Sequence, residues 1–193
     1  MRSSMRHKCK LRLAGFSGSL RSGSYNTMLL SNARSILADR ATVELVDIAG
    51  IPMFNQDFEC APPESVLRMN ELVWGCDGVI ISTPQYNASF PGVLKNALDW
   101  LSRPRGQSCL SGKPTVVIGA SIGPTGSAVA QAQLRTILTY LDMVLITHPM
   151  VCIGHANEKF DETGALTDKE SRQRLESLMD RLLSAISRLN DKG

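Results

Sequence analysis

The feature that most narrows the fold of this chain is an alternation along its length. Short, nearly unbroken apolar runs take turns with longer segments of helical period. Residues 10–17, 78–83 and 114–120 are runs of the first kind. Apolarity sustained over so few positions marks a strand covered on both faces. Residues 42–47, where Val43 and Leu45 are set against Glu44 and Val46, read as a short strand, and 144–151 as a fifth. Between them, residues 24–39 place Leu29, Ala33, Ile36 and Leu37 on one helical face. Residues 64–76, 91–102 and 126–141 are also read as helices, the second with Pro91 preset in its first turn. The last helix, 168–189, repeats Leu175, Leu178, Met179, Leu182, Leu183, Ile186 and Leu189, a strong apolar stripe. Five such β–α repeats predict an α/β protein, an open parallel sheet with helices on both faces. Ligands of such sheets lie beyond the carboxyl ends of the strands, where strand order reverses. The loops after the strands are therefore where function is expected.

The 193 residues suit a single domain with a sizeable core. That domain is taken as residues 10–193 behind a basic leader, 1–9. No apolar run approaches the ~20 residues of a membrane helix, and the basic start has no uninterrupted apolar region, so the expected location is cytoplasmic. A net charge of +3 with no basic stripe gives no reason to expect nucleic acid. Cys9, Cys60, Cys76, Cys109 and Cys152 are widely spaced and odd in number, which argues against a disulfide framework, a zinc site or an iron–sulfur cluster. His7, His148 and His155 lack ligand spacing, so no metal is expected; His148 is read as a structural residue near the end of strand five. Trp74 and Trp100 are read as packing residues. No G-x-S-x-G elbow and no G-x-G-x-x-G turn are present, which sets aside a hydrolase and a dinucleotide fingerprint.

Three loops carry the chemistry. The first, residues 18–26, is Gly-Ser-Leu-Arg-Ser-Gly-Ser-Tyr-Asn. Its small residues let backbone amides approach an anion at a helix start. Ser19, Ser22, Ser24 and Asn26 add neutral donors, and Arg21 a planar charged fork. The spacing is that of a P-loop, but Ser24 stands where its lysine belongs, so one terminal phosphate is met better than a triphosphate. A serine-capped helix start accounts for the same residues equally simply. The second loop is Thr83-Pro84-Gln85-Tyr86-Asn87-Ala88-Ser89-Phe90-Pro91-Gly92, leading into Val93-Leu94-Lys95-Asn96-Ala97-Leu98-Asp99-Trp100. The third, Ala120-Ser121-Ile122-Gly123-Pro124-Thr125-Gly126, is small enough for a flat ring to lie close to the backbone.

From residue 13 to about residue 189 the chain resembles the NADPH-dependent FMN reductase family, which includes bacterial quinone and chromate reductases. The first loop matches that family's G-S-L-R-x-x-S-x-N pattern. The second matches P-E-Y-N-x-S-x-P-G-x-L-K-N-A-x-D-W at every fixed position except one, where Gln85 replaces glutamate. The resemblance implies a flavodoxin-like, three-layer, doubly wound sheet of five parallel strands in the order 2-1-3-4-5. It implies FMN as cofactor, with Ser19, Arg21, Ser24, Tyr25 and Asn26 at the phosphate. Pro84, Gln85, Tyr86 and Asn87 then run along the ring edge, where the backbone N–H groups of the last three donate to it, and Ser121, Gly123 and Gly126 lie against the ring. Gln85 removes a negative charge from the site.

The activity so implied is oxidoreduction. NADPH or NADH reduces the flavin at N5, and a small acceptor such as a quinone, free flavin, azo compound or chromate then takes the electrons in ping-pong order. No protein side chain is assigned a catalytic role, because the cofactor carries the chemistry. A flavodoxin-like electron carrier without its own substrate is the other reading, and a pI near 8.7 favours the enzyme. A homodimer or homotetramer is expected, with helix 91–102, rich in Val93, Leu94, Leu98 and Trp100, as the contact; the alternative reading is that these residues fill this domain's own core.

Overall fold

The structure, a computed structural model, describes residues 10–191. The basic leader, with His7 and Cys9, lies outside the described residues. Strands β1 (Leu11–Ser17), β2 (Ala41–Val46), β3 (Gly78–Ser82) and β4 (Pro114–Ala120) pair in parallel in the order β2-β1-β3-β4. Helices α1 (Tyr25–Leu37), α2 (Glu64–Trp74), α3 (Gly92–Leu101), α4 (Ala128–Tyr140) and α5 (Lys169–Asn190) cover the two faces.

Side chains alternate across the sheet. Leu13, Ile80, Val116 and Ile118 point into the layer of α1 and α5, while Ala14, Phe16, Val79, Ile81 and Val117 meet α2, α3 and α4. With both faces covered, every position must be apolar, and that is why these strands read as continuous runs. Helix α5 starts at Asp168, whose carboxylate accepts the Ser171 amide, and buries Leu175, Leu178, Met179, Leu182 and Ile186. Each such side chain contributes about 1.5–3 kcal/mol by leaving water.

Beyond β4 the structure departs from the expected strand 144–151. Two short strands, β5 (Val144–Leu145) and β6 (Val151–Ile153), pair with opposite ends of β4, in registers Pro114↔Val144 and Ile118↔Val151. The sheet therefore follows the order β2-β1-β3-β4-β5, with β6 added on β4. Between the two, Pro149 brings no amide to a ladder and the chain loops away. His148, expected as a structural residue, is exposed in that loop.

Two further expectations are corrected. Trp74 does not pack but is 62% exposed at the end of α2. The apolar residues of α3 are not surplus: Leu94, Ala97, Leu98, Trp100 and Leu101 are buried in this chain's own core. They are not available as anchors for another subunit. Trp100 instead donates its indole N–H to the Pro52 carbonyl (2.8 Å) and meets Phe54 edge-on at 4.9 Å. Asn96, one turn earlier, accepts the Phe54 amide and donates to the Ile51 and Pro52 carbonyls. The motif's Asn and Trp thus pin the segment after β2 onto α3. Among the described residues, no helix is long and apolar enough to cross a membrane.

Candidate functional site

Because all the main strands run parallel, the loops following β1, β3 and β4 emerge at one end of the sheet, and helices α1, α3 and α4 begin there. Loops one and two are in direct contact. The Gly18 amide donates to the Ser82 carbonyl (2.8 Å), and a Cβ on Gly18 would meet the Pro84 ring at 3.3 Å.

In loop one, Ser24 is the N-cap of α1, its hydroxyl accepting from the amides of Asn26 (3.2 Å) and Thr27 (3.3 Å). The cap leaves its O–H free to donate. The amides of Ser22, Gly23, Ser24 and Tyr25 donate to no protein acceptor among the described residues. Consecutive free amides at a helix start form an anion cradle. Arg21 is exposed beside them and is the only charged side chain in the three loops. Ser19 is buried and lies between the Arg21 amide and the Tyr86 hydroxyl, each at 3.4 Å. The capped-helix and phosphate readings therefore hold together, since the cap uses the Ser24 oxygen while the amides stay free.

Two residues placed at the phosphate by sequence turn elsewhere. The Tyr25 ring packs against Phe160 at 5.6 Å between centroids. Asn26 is 3% exposed and ties three loops together. Its Nδ2 donates to the Ala120 carbonyl (2.9 Å), and its Oδ1 accepts from the Ala120 amide (3.0 Å) and the Ser82 hydroxyl (3.2 Å). Its side chain is a brace at the carboxyl ends of β3 and β4, not a phosphate donor.

Loop two is a tight hairpin. The Tyr86 amide donates to the Ser89 carbonyl (2.8 Å) and the Ser89 amide to the Tyr86 carbonyl (3.0 Å). Asn87 (φ 51°) and Ala88 (φ 61°) form the turn, both left-handed as a type I′ turn requires. The Tyr86 amide is thus spent within the loop, whereas those of Gln85 and Asn87 donate to no protein acceptor among the described residues. The Gln85 side chain points to α4, its Oε1 accepting from the amides of Val129 (3.1 Å) and Ala130 (3.3 Å). Gln133, which carried no signal in the sequence, donates to the Ala88 carbonyl (3.0 Å) and accepts from the Ser89 hydroxyl (2.7 Å).

Loop three is tied inward. The Ser121 amide donates to the Ile153 carbonyl, its hydroxyl to the Gly126 carbonyl, and its own carbonyl accepts from Ala156. The Gly123 carbonyl takes the amides of Gly126 and His155. Gly126 sits at φ +64°, and a Cβ there would fall 2.7 Å from the Cys152 carbonyl carbon, so only glycine fits. This loop offers shape and the exposed Ile122, with the Ser121 hydroxyl turned inward. Behind it, burial pushes the Cys152 thiol up, away from a reactive thiolate at neutral pH.

Free amides and one arginine at a helix start suit a single phosphate, and two free hairpin amides suit the polar edge of a ring. The residues present fit FMN. The family model for NADPH-dependent FMN reductase matches residues 11–158, from the start of β1 past β6 and across all three loops. The chain belongs to the NADPH-dependent FMN reductase family. It is similar to a 2-hydroxy-1,4-benzoquinone reductase from a Burkholderia species, 41% identical over 171 residues, 89% of this chain and 93% of that protein. It is equally similar to an NAD(P)H-dependent FMN reductase of Pseudomonas aeruginosa, 41% identical over 180 residues, covering 93% and 97%. Among solved structures it matches the flavoenzyme NAD(P)H:(acceptor) oxidoreductase FerB of Paracoccus denitrificans. That match has a TM-score of 0.86 at 35% identity, over 92% of this chain and 98% of that one. As a member of the NADPH-dependent FMN reductase family the chain is an oxidoreductase that uses FMN, with NAD(P)H as electron donor.

Proposed function

We propose that this chain transfers electrons from NAD(P)H to a small planar acceptor of the quinone class, with FMN lying across the three loops. The observation that carries the reading is the convergence of free amides, at the start of α1 and at Gln85 and Asn87, on one end of the sheet. Bound FMN supplies the redox chemistry, and the protein supplies orientation and electrostatics. The amides of residues 22–25, with the hydroxyls of Ser19 and Ser24 and the guanidinium of Arg21, hold the terminal phosphate. The backbone of Pro84, Gln85 and Asn87 follows the ring edge, where fixed donors favour the added negative charge of the reduced state. Ser121, Gly123 and Gly126 let the ring approach the backbone, and Tyr86, half-exposed, flanks the open side. The same end exposes Leu20, Ile122 and Val129, apolar side chains that suit a planar substrate or a second copy of the chain. We assign the protein to the cytoplasm, as a homodimer or homotetramer.

The test is steady-state NADPH oxidation by purified protein with a panel of quinones, flavins, azo compounds and chromate. Quinone-dependent turnover with parallel double-reciprocal lines is expected, because both substrates need one open face. Failure of every quinone to stimulate NADPH oxidation by flavin-loaded protein would sink the reading. Heat release of the chromophore identifies FMN, and light scattering reads the assembly state.

A further inference from the structure

We propose that Gln85 and Gln133 are positioning residues that clamp the loop-two hairpin onto α4 and so hold its free amides in place. This rests on the reading that loop two meets the ring edge. The hairpin has little to hold it by itself. Its two cross-strand bonds close a turn whose second residue is Ala88, at φ 61°. Asparagine tolerates that region, but an alanine Cβ crowds the following carbonyl there. A two-residue hairpin without outside support is marginal in water. The conformation therefore persists because something else over-determines it.

That support comes from α4. Both functional atoms of the Gln133 amide are spent on the turn, Nε2 on the Ala88 carbonyl and Oε1 on the Ser89 hydroxyl. Gln85, immediately before the hairpin, caps the helix itself. Ser127 is the N-cap of α4 but its hydroxyl makes no cap bond, and Gln85 Oε1 takes the Val129 and Ala130 amides in its place. Val129 and Gln133 lie one turn apart, so both attachments fall on one face of the helix. Helix α4 is a rigid base, since Ala130, Leu134 and Leu138 are fully buried. The two glutamines join a strained turn to a fixed helix, which lowers the ordering cost when a ligand binds its amides. This also accounts for glutamine where the resemblance places glutamate. The helix start needs an acceptor oxygen, and either side chain provides one.

The experiment compares the full-length flavin-free protein with Gln133→Leu, Gln85→Leu, the double variant, and Ala88→Gly added to Gln133→Leu. In Gln133→Leu the Tyr86 and Ser89 amides should exchange with solvent about tenfold faster, and FMN should bind roughly five- to tenfold more weakly, as two exposed hydrogen bonds warrant. Adding Ala88→Gly should recover at least half of the lost affinity, since glycine adopts positive φ without cost. Gln85→Glu should restore the cap with a pH profile that glutamine lacks. Its carboxylate, held low by the helix start, supports binding above the ordinary carboxylate range and loses it as pH falls through the depressed value. A double variant with wild-type exchange rates and FMN affinity within about twofold would overturn the clamp. The underlying reading fails separately, if FMN shifts no amide resonance from Gln85 to Ala88 in the wild-type protein. The exchange rates measured without flavin still decide the clamp in that case.

Discussion

Replacing Asn26 with alanine removes a side chain that ties the end of β4 to the end of β3 and to α1. Three partners lose their bond: the Ala120 carbonyl, the Ala120 amide and the Ser82 hydroxyl. All three belong to buried residues, Ala120 at 1% and Ser82 at 0% exposure, so water does not simply take the place of the amide. A buried polar group left unpaired costs about 1–3 kcal/mol. Three such groups sharing one site relax together, and roughly 3–5 kcal/mol is the expected loss of stability. For a chain of this size each kcal/mol lowers the melting temperature by about 2–4 °C, so a fall of roughly 6–20 °C is expected. Asn26→Asp keeps the acceptor for Ala120 N–H and Ser82 but loses the donor to the Ala120 carbonyl. It should fall between alanine and wild type at mildly acidic pH. Urea unfolding of the flavin-free protein, followed by the fluorescence of the buried Trp100, measures the difference, with the denaturant slope expected to hold constant. FMN affinity should drop in parallel, because loops one and three lose their common brace. A loss of stability below about 1 kcal/mol would refute the reasoning, since it would mean that the three bonds are no better than those made with water.

Arg21→Ala should weaken FMN by one to two decades, the worth of a charge-assisted bond of about 1.5–3 kcal/mol, with little effect on turnover at saturating flavin. Unchanged FMN affinity with weaker NADPH binding would move Arg21 to the nicotinamide's phosphate. The Asp168 carboxyl is held below its usual range by the Ser171 hydroxyl and amide, with Lys159 assisting. Its contribution to α5 is therefore complete above the ordinary carboxylate value and lost as pH falls through the lowered one. Urea midpoints between about pH 6 and pH 3 should show that acid-dependent loss, and Asp168→Asn should flatten it. Burial pushes the Cys109 thiol up to about 11, whereas Cys60 is exposed. Alkylation followed by peptide mass mapping should label Cys60 early and Cys109 only on unfolding, and fast native labelling of Cys109 would contradict its burial.

The strands and helices were legible because burial leaves a local period. Unbroken runs such as Gly78–Ser82 require two covered faces, and the stripe from Leu175 to Ile186 requires one. Parallel strands then bring their following loops to one end, so the three loops are identifiable from the order of the elements alone. What the sequence by itself determined was this framework and the residue types available at its edge. Which partner each polar side chain chose was decided only in three dimensions. Asn26 was a plausible phosphate donor by type, yet its partners stand 56 and 94 residues away, and no local pattern encodes a bond of that span. Gln85 turned to α4, and Gln133 came to the hairpin across 45 residues. The apolar face of α3 was equally visible in both readings of it, but only packing against β3, β4 and the segment after β2 showed that this chain buries it unaided. Periodicity records how much of an element is covered, whereas a hydrogen bond depends on where two distant segments meet, and the tertiary fold alone sets that meeting point.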